Sequence, residues 1–89
     1  ADPNFALIDR DEYYFKKGLV QLKLKQTQAA INSFEEVKEG AYVPNAQWKK
    51  ALAYLLIDVD KATELLSIIA DSPSPDADNA KLILEKLEE

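Results

Sequence analysis

The sequence predicts an all-α domain of five helices, and three observations lead to this fold class. Only two glycines occur in 89 residues, and the four prolines fall where helices would have to begin or end. No stretch alternates apolar and polar residues at a period of two for long enough to make a convincing strand. Apolar residues instead recur every three or four positions, which is the period of a helix that packs on one face.

The first two helices are predicted from capping residues and apolar spacing. Helix one begins near Asp9, which forms a capping-box-like pair with Glu12, and it runs to about Lys25. Helix two begins at Thr27 and ends at Gly40, a residue that suits a left-handed C-cap. Each of these segments carries an apolar row that needs a neighbouring helix to cover it.

The other three helices are predicted from prolines and aspartates. Pro44 disfavours helical geometry at the residue before it, so helix three should run from about Asn45 to Ile57. Asp58 or Asp60 caps helix four. Pro75 suits the first position of helix five. The connections are short, and neighbouring helices should therefore lie antiparallel.

Composition and charge exclude several classes of function. The chain has no cysteine and no histidine, which removes Cys/His metal sites, thiol catalysis and any triad built on imidazole. The formal charge of −5 argues against nucleic-acid binding, because a phosphate backbone selects a basic surface. The apolar runs are too short to span a membrane. We therefore expect no enzyme, no cofactor, and no catalytic, cofactor-binding or metal-binding residue.

An internal repeat is the most informative feature of the sequence. Residues 15–22, FKKGLVQL, match residues 48–55, WKKALAYL, at an offset of 33 residues. The helices that follow match at an offset of 32, at the pairs Ala30–Ala62, Phe34–Leu66 and Val37–Ile69. Two helices that recur at this period are typical of helical repeat proteins. One hairpin cannot bury its apolar face alone, and stacked hairpins bury a shared one.

At these residues the chain resembles the tetratricopeptide repeat (TPR) family, whose pattern is aromatic-x-x-Leu-Gly-x-x-Tyr, then Ala-x-x-x-Phe, then a proline. The first repeat matches this pattern at Tyr14, Gly18, Ala30, Phe34 and, slightly late, Pro44, and it departs from it at Lys17 and Gln21. The second repeat matches at Ala51, Tyr54, Ala62 and Leu66, with Gln47 in the first aromatic position and Trp48 one step later. The small residues suit a close crossing of paired helices.

The resemblance implies a right-handed stack of antiparallel helix pairs, a TPR-like α-α superhelix whose fifth helix is a cap. We expect an N-terminal arm or linker at residues 1–9 and a single helical domain at 10–89. Within that domain the first repeat covers 11–44, the second covers 45–75, and the capping helix covers 76–88. In this family the first helix of each repeat lines a concave groove that binds extended peptides, so the expected function is protein–protein interaction.

The predicted groove combines apolar and basic residues of the first helices. An apolar stripe at i, i+4 and i+7 consists of Phe15, Leu19 and Leu22, and its repeat counterpart consists of Trp48, Leu52 and Leu55. The same helices carry Lys16, Lys17, Lys23, Lys25, Lys49 and Lys50. This charge favours an acidic peptide segment or a C-terminal carboxylate. The partner-binding residues that we predict are Phe15, Lys16, Leu19, Lys23, Trp48, Lys49 and Leu52.

Alternatives to this interpretation stay open. The lysines could be ordinary solvated side chains, and the apolar stripe could be buried core or the face of a homodimer. The alternative function is a structural or self-association domain of a larger membrane-anchored bacterial protein. The chaperone-binding members of the family clamp a terminal carboxylate with lysines and asparagines. Phe15 and Leu19 take such places here, so binding of chaperone tails is not expected.

The second repeat and the last helix are also similar to a narrower group, the repeat domains of bacterial, Bacteroidetes-like, membrane-anchored proteins. This similarity implies a periplasmic or otherwise extracytoplasmic domain, tethered by an anchor upstream, while a cytoplasmic location stays open. The sequence begins with alanine and contains no methionine. We therefore expect a processed product or a piece of a longer protein, and no membrane insertion of these residues themselves.

Overall fold

The computed structural model describes residues 10–88, and within this range the chain is all-α without a strand. The five helices are α1 (Arg10–Lys23), α2 (Thr27–Glu35), α3 (Val43–Tyr54), α4 (Val59–Ala70) and α5 (Ala77–Leu87). The predicted fold class and the number of helices are confirmed. The expected arm at 1–9 and the cap at Asp9 lie outside the described residues.

Each helix packs against its neighbours in the chain. Contacts join α1 to α2, α2 to α3, α3 to α4 and α4 to α5, and α1 also touches α3. The connections between consecutive helices are three to seven residues long, a length typical of antiparallel helix hairpins. The molecule is elongated and flat, with extents of 52 × 28 × 15 Å along its principal axes.

Nine of the twelve buried apolar residues within 10–88 form two clusters, one centred on each helix hairpin. The first cluster contains Ala30, Phe34, Val37 and Ala46. The second cluster contains Ala51, Leu66, Ile69, Ala70 and Ala80. Helix α3 contributes Ala46 to the first cluster and Ala51 to the second, and it therefore joins the two halves of the molecule.

The small residues of the repeat lie in equivalent surroundings. Gly18 is buried against the ring of Phe34, so closely that a Cβ built on Gly18 would lie 2.5 Å from the Phe34 Cε1 atom. Ala51 is fully buried in the cluster that contains Leu66, the repeat counterpart of Phe34. In both hairpins a small residue on the first helix thus accompanies a large apolar residue on the second, and glycine occurs where the large residue is aromatic.

Helix α1 ends at Lys23, two residues before its predicted limit. The next residues form a Schellman motif, in which the Lys25 amide bonds to the Leu22 carbonyl at 3.0 Å and the Gln26 amide bonds to the Gln21 carbonyl at 2.8 Å. Lys25 takes the left-handed position of this motif, with φ at 62°. A lysine is an unusual residue there, because its Cβ disfavours positive φ.

Helix α2 is shorter than predicted, and the prediction that Gly40 ends it is wrong. The helix ends at Glu35, where the Glu36 amide bonds to the Ser33 carbonyl at 3.1 Å in a tightened last turn. Gly40 has φ at +86° but lies within the connection to α3. Val37, beyond the end of the helix, is still buried in the first cluster, and its amide bonds to the Phe34 carbonyl at 3.1 Å.

Helix α3 begins at Val43, so the prediction that Pro44 keeps this residue outside the helix is wrong. The proline lies in the first turn, where its missing N–H costs no helical hydrogen bond. The first helical bond runs from the Ala46 amide to the Tyr42 carbonyl at 2.8 Å. The helix ends at Tyr54 instead of at the predicted residue 57, and a tight turn leads into α4.

The predicted caps have mixed outcomes. Asp58 caps α4 as predicted, since its Oδ1 atom accepts a hydrogen bond from the Lys61 amide at 3.1 Å. Thr27 is not a cap but the first residue of α2, and the residue before it makes no side-chain capping bond. Helix α5 begins at Ala77, two residues later than the predicted start at Pro75.

Candidate interaction surface on α1 and α3

The predicted binding residues lie on α1 and α3, two helices that touch each other. Phe15 and Leu19 are half-buried and pack on the first cluster, and Trp48 is half-buried and packs on the second. Leu52 is also half-buried, but it packs on neither cluster. The apolar stripe is therefore partly core and partly surface. The fold holds one side of Phe15, Leu19 and Trp48, and the other side of each is accessible.

Aromatic neighbours fix the position of Phe15. Its ring centroid lies 6.0 Å from that of Phe34 and 5.2 Å from that of Tyr42, both in tilted arrangements. Such pairs stabilise a defined ring orientation beyond the gain from burial alone. Phe15 therefore presents an ordered ring at the surface of α1.

Trp48 holds the corresponding place on α3. It packs on the second cluster together with Leu55 from its own helix and with Ile83 and Leu84 from α5. As the only tryptophan in the chain, it is also a selective spectroscopic reporter for this surface. The repeat thus sets two half-buried aromatic residues on adjacent helices.

The basic residues of the predicted site differ in how far they are already paired. Lys16 Nζ lies 2.8 Å from a carboxylate oxygen of Glu12, and this hydrogen bond and its charge raise the pKa of Lys16 above the ordinary value of 10.5. Lys23 is exposed and Lys49 half-buried, and neither forms an ion pair within residues 10–88. Lys23 and Lys49 are therefore the lysines of the set whose charge a partner could neutralise.

A network of polar contacts fixes the N-terminal end of α1 against the connection that follows α2. Arg10 donates a hydrogen bond to the Glu36 carbonyl oxygen at 2.9 Å and pairs with the Glu36 carboxylate, which raises the pKa of Arg10. The Asp11 carboxylate accepts hydrogen bonds from the amides of Lys38 at 3.4 Å and Glu39 at 3.0 Å. These contacts set the angle at which α1 presents its stripe beside α3.

The sequence interpretation missed a second apolar face on α1. Tyr13, Val20 and Leu24 lie in one row along the helix and are exposed, and we call this row the outer face of α1. The residues 33 positions after Tyr13 and Val20 are Ala46 and Ala53, which are buried. No signal in the sequence marks this face, because only the burial of the two alanines shows that its repeat counterpart packs against another helix.

Neither a metal centre nor a membrane span is found in the part of the chain that the structure describes. Within residues 10–88 no three acidic side chains converge in a way that could hold a metal ion. No helix of the same range has the length and apolar character needed to cross a bilayer. No protein-family model, curated protein or solved structure matches the chain.

Proposed function

We propose that this protein is a TPR-like interaction domain that binds a peptide or protein segment along α1 and α3. In this proposal the hairpins α1–α2 and α3–α4 are two repeats of a right-handed stack, and α5 caps the second. Two features support it. The first helices touch each other, and the small residues Gly18 and Ala51 share their clusters with the repeat counterparts Phe34 and Leu66.

The repeated half-buried stripe is the observation that carries the proposal. Phe15 and Leu19 on one helix, and Trp48 and Leu52 on the next, each have one side accessible. Side chains that the core already orders lose little conformational entropy when a partner covers them. Aromatic residues in such positions commonly contribute most of the binding energy of an interface.

The chemistry of the partner follows from the flanking charges. Lys23 and Lys49 border the stripe on the two helices and have no acidic partner within the described range. The chain as a whole carries a charge of −5, so a basic strip stands out against its surroundings. Electrostatic complementarity of this kind selects an acidic segment and speeds its association. We therefore expect an acidic segment with apolar anchors.

Selection of displayed random peptides against the immobilised domain tests this function. Enriched peptides should be acidic and apolar, and their titration should change Trp48 fluorescence. Lys23→Glu combined with Lys49→Glu should weaken binding at least about tenfold, with a smaller difference at high salt. The matched control is Lys38→Glu with Lys61→Glu, which changes the net charge equally at exposed lysines outside α1 and α3. Equal losses from both pairs would contradict a site on α1 and α3.

Light scattering at increasing protein concentration separates this function from an assembly role. A monomer whose Trp48 fluorescence responds to the selected peptides supports recognition. A concentration-dependent dimer whose Trp48 does not respond supports self-association, because the same stripe would then be covered by a second copy.

A further inference from the structure

The outer face of α1 is an apolar row that the proposed groove does not use. Tyr13, Val20 and Leu24 follow one another at spacings of seven and four residues, which places them on one side of the helix. Their exposed fractions are 44%, 55% and 62%. None of them packs on either apolar cluster. The row is therefore an apolar face, interrupted by the exposed Lys17, that no helix of residues 10–88 covers.

The second hairpin shows what covers the equivalent face. Ala46 and Ala53, the repeat counterparts of Tyr13 and Val20, are each only 1% exposed. Ala46 belongs to the first cluster together with Phe34 of α2. The face of α3 that corresponds to the outer face of α1 thus packs against α2, the second helix of the first hairpin. The contact between α2 and α3 provides a template for what α1 would bind.

We propose that the outer face of α1 docks an acidic amphipathic α-helix of a partner protein, arranged antiparallel to α1 as α2 is to α3. The size of the residues sets the complementary shape. On α3 the small Ala46 leaves room for Phe34, whereas on α1 the bulky Tyr13 and Val20 fill that space themselves. Because packed helices approach to about 8–10 Å, the partner must carry small side chains opposite them.

The charges around the row indicate an acidic partner. Lys17 lies within the row, with Nζ 5.8 Å from the centroid of the Tyr13 ring. Lys16 and Lys23 lie on the neighbouring positions of the helix and are exposed. Glu12 already pairs with Lys16, so Lys17 and Lys23 are the positive charges that remain beside the row. Acidic residues beside the apolar side of the partner helix would complement this border.

A second copy of this chain fits the face less well than a partner helix. If two copies stacked head to tail, the second helix of a hairpin would have to lie at the far end of the chain. The last helix, α5, instead packs like a first helix, because it buries Ala80 against α4 as α3 buries Ala46 against α2. The outer positions of α5 are mixed, with exposed Lys81, Glu85 and Lys86 beside exposed Leu82 and Leu87, and by its place in the repeat α5 is a first helix, unlike α2. Face-to-face pairing of two α1 helices would bring their lysine borders together.

The probe for this proposal is a lactam-constrained peptide with the sequence of residues 26–39, QTQAAINSFEEVKE, that carries Phe34→Ala. The peptide comprises α2, which packs on the equivalent face within the chain, together with the residues that follow it, and it contains three glutamates and one lysine. The substitution supplies a small side chain opposite the outer face. The lactam replaces the exposed pair Gln28 and Asn32, whose side chains already bond across one turn at 3.2 Å.

Binding to the full chain is measured by calorimetry and by amide chemical shifts. The shifts should centre on Tyr13, Val20 and Leu24. Val20→Gln combined with Leu24→Gln should weaken binding at least about tenfold. The matched control is a pair of similarly exposed apolar residues on α4 and α5, changed by Ile68→Gln and Leu82→Gln, and it should leave the affinity unchanged. The peptide that retains Phe34 should bind more weakly than the alanine form.

Four results would overturn the proposal. Chemical shifts centred on Phe15, Leu19 and Trp48 would assign the peptide to the groove. Equal losses from both glutamine pairs would show that the contact is not specific. A dimer of the chain alone that Val20→Gln with Leu24→Gln abolishes would assign the face to a second copy. Absence of saturable binding at millimolar peptide would leave the face without a helical partner. The substituted residues Val20, Leu24, Ile68 and Leu82 do not belong to the proposed groove. Failure of this proposal would therefore leave the proposed function of the groove untouched.

Discussion

Substitution of Gly18 by alanine should destabilise the protein, although glycine is a poor helix former. A Cβ at this position would lie 2.5 Å from Phe34 Cε1 and 2.8 Å from each of two further ring atoms. Carbon atoms in contact normally lie about 3.5–4.0 Å apart. Phe34 is 2% exposed, and its ring centroid lies 6.0 Å from that of Phe15, so the ring has little room to move away.

Two opposing contributions determine the size of the effect of Gly18→Ala. Alanine in place of glycine within a helix stabilises by roughly 0.5–1 kcal/mol. An additional carbon forced into a well-packed core costs about 1–3 kcal/mol. The overlap at Phe34 approaches 1 Å, which puts the cost in the middle of that range, and we expect a net loss of about 1 kcal/mol in the free energy of unfolding. For a domain of this size that loss lowers Tm by about 4–8 °C.

Urea unfolding followed by far-UV circular dichroism measures this loss. The midpoint should fall while the slope with denaturant stays constant, because the surface exposed on unfolding does not change. A rise in the free energy of unfolding would refute the reasoning, since helix propensity would then exceed any cost of the close contact with Phe34.

A double-mutant cycle identifies the contact itself. Phe34→Leu alone should also destabilise, because it leaves space beside Gly18. Gly18→Ala combined with Phe34→Leu reproduces the Ala51 and Leu66 pair of the second hairpin, and it should be more stable than the sum of the single effects by at least about 1 kcal/mol. Additive effects would show that residue 18 and residue 34 do not meet.

Three further predictions concern the ends of helices and one ion pair. Asp58→Ala should lower the free energy of unfolding by about 1 kcal/mol, whereas Asp58→Asn, which keeps the accepting oxygen, should lower it much less; thermal melts of both variants decide. Lys25→Gly should raise Tm, because glycine occupies the left-handed position of the Schellman motif without strain, and an unchanged or lower Tm would contradict the positive φ at this residue. Glu12→Gln should lower the pKa of Lys16 towards 10.5 in an NMR titration. Because the pKa of Lys16 is raised in the folded state, the stabilisation from this pair is fully present below the unfolded-state pKa and is lost as pH rises through the folded-state pKa. A Lys16 pKa that is the same in the Glu12→Gln variant would exclude the hydrogen bond.

The local elements of the fold could be predicted because their causes are local. The apolar spacing that defines each helix and the capping side chain of Asp58 act within a few residues of chain. The end of α2 could not be predicted in this way, because it depends on tertiary contacts. The Asp11 carboxylate of another helix accepts hydrogen bonds from the amides of Lys38 and Glu39, which a continuing helix would have bonded to its own carbonyls. Gly40, which looked like a helix end in sequence, only shapes the connection.

The sequence was sufficient to place the candidate site on the first helix of each repeat, but not to predict how much of each side chain is buried. The offset of the repeat alone assigns Phe15 and Trp48 to equivalent positions. How much of each ring stays accessible depends on residues far away in the chain, such as Tyr42 beside Phe15 and Ile83 beside Trp48. The outer face escaped notice for a related reason. Tyr13 is bulky where its counterpart Ala46 is small. Only the burial of Ala46 in the structure shows that this side of a first helix can pack against another helix.

The serial order of contacts makes α3 the mechanical link of the molecule. No contact joins α4 or α5 to α1 or α2, so α5 and then α4 can detach locally while the first hairpin stays folded. Amide protons of α5 should therefore exchange with solvent sooner than those of α2, which neighbours enclose on two sides. Binding of a partner to α1 can therefore affect α4 and α5 only through α3, whose Ala46 and Ala51 belong to the first and the second cluster.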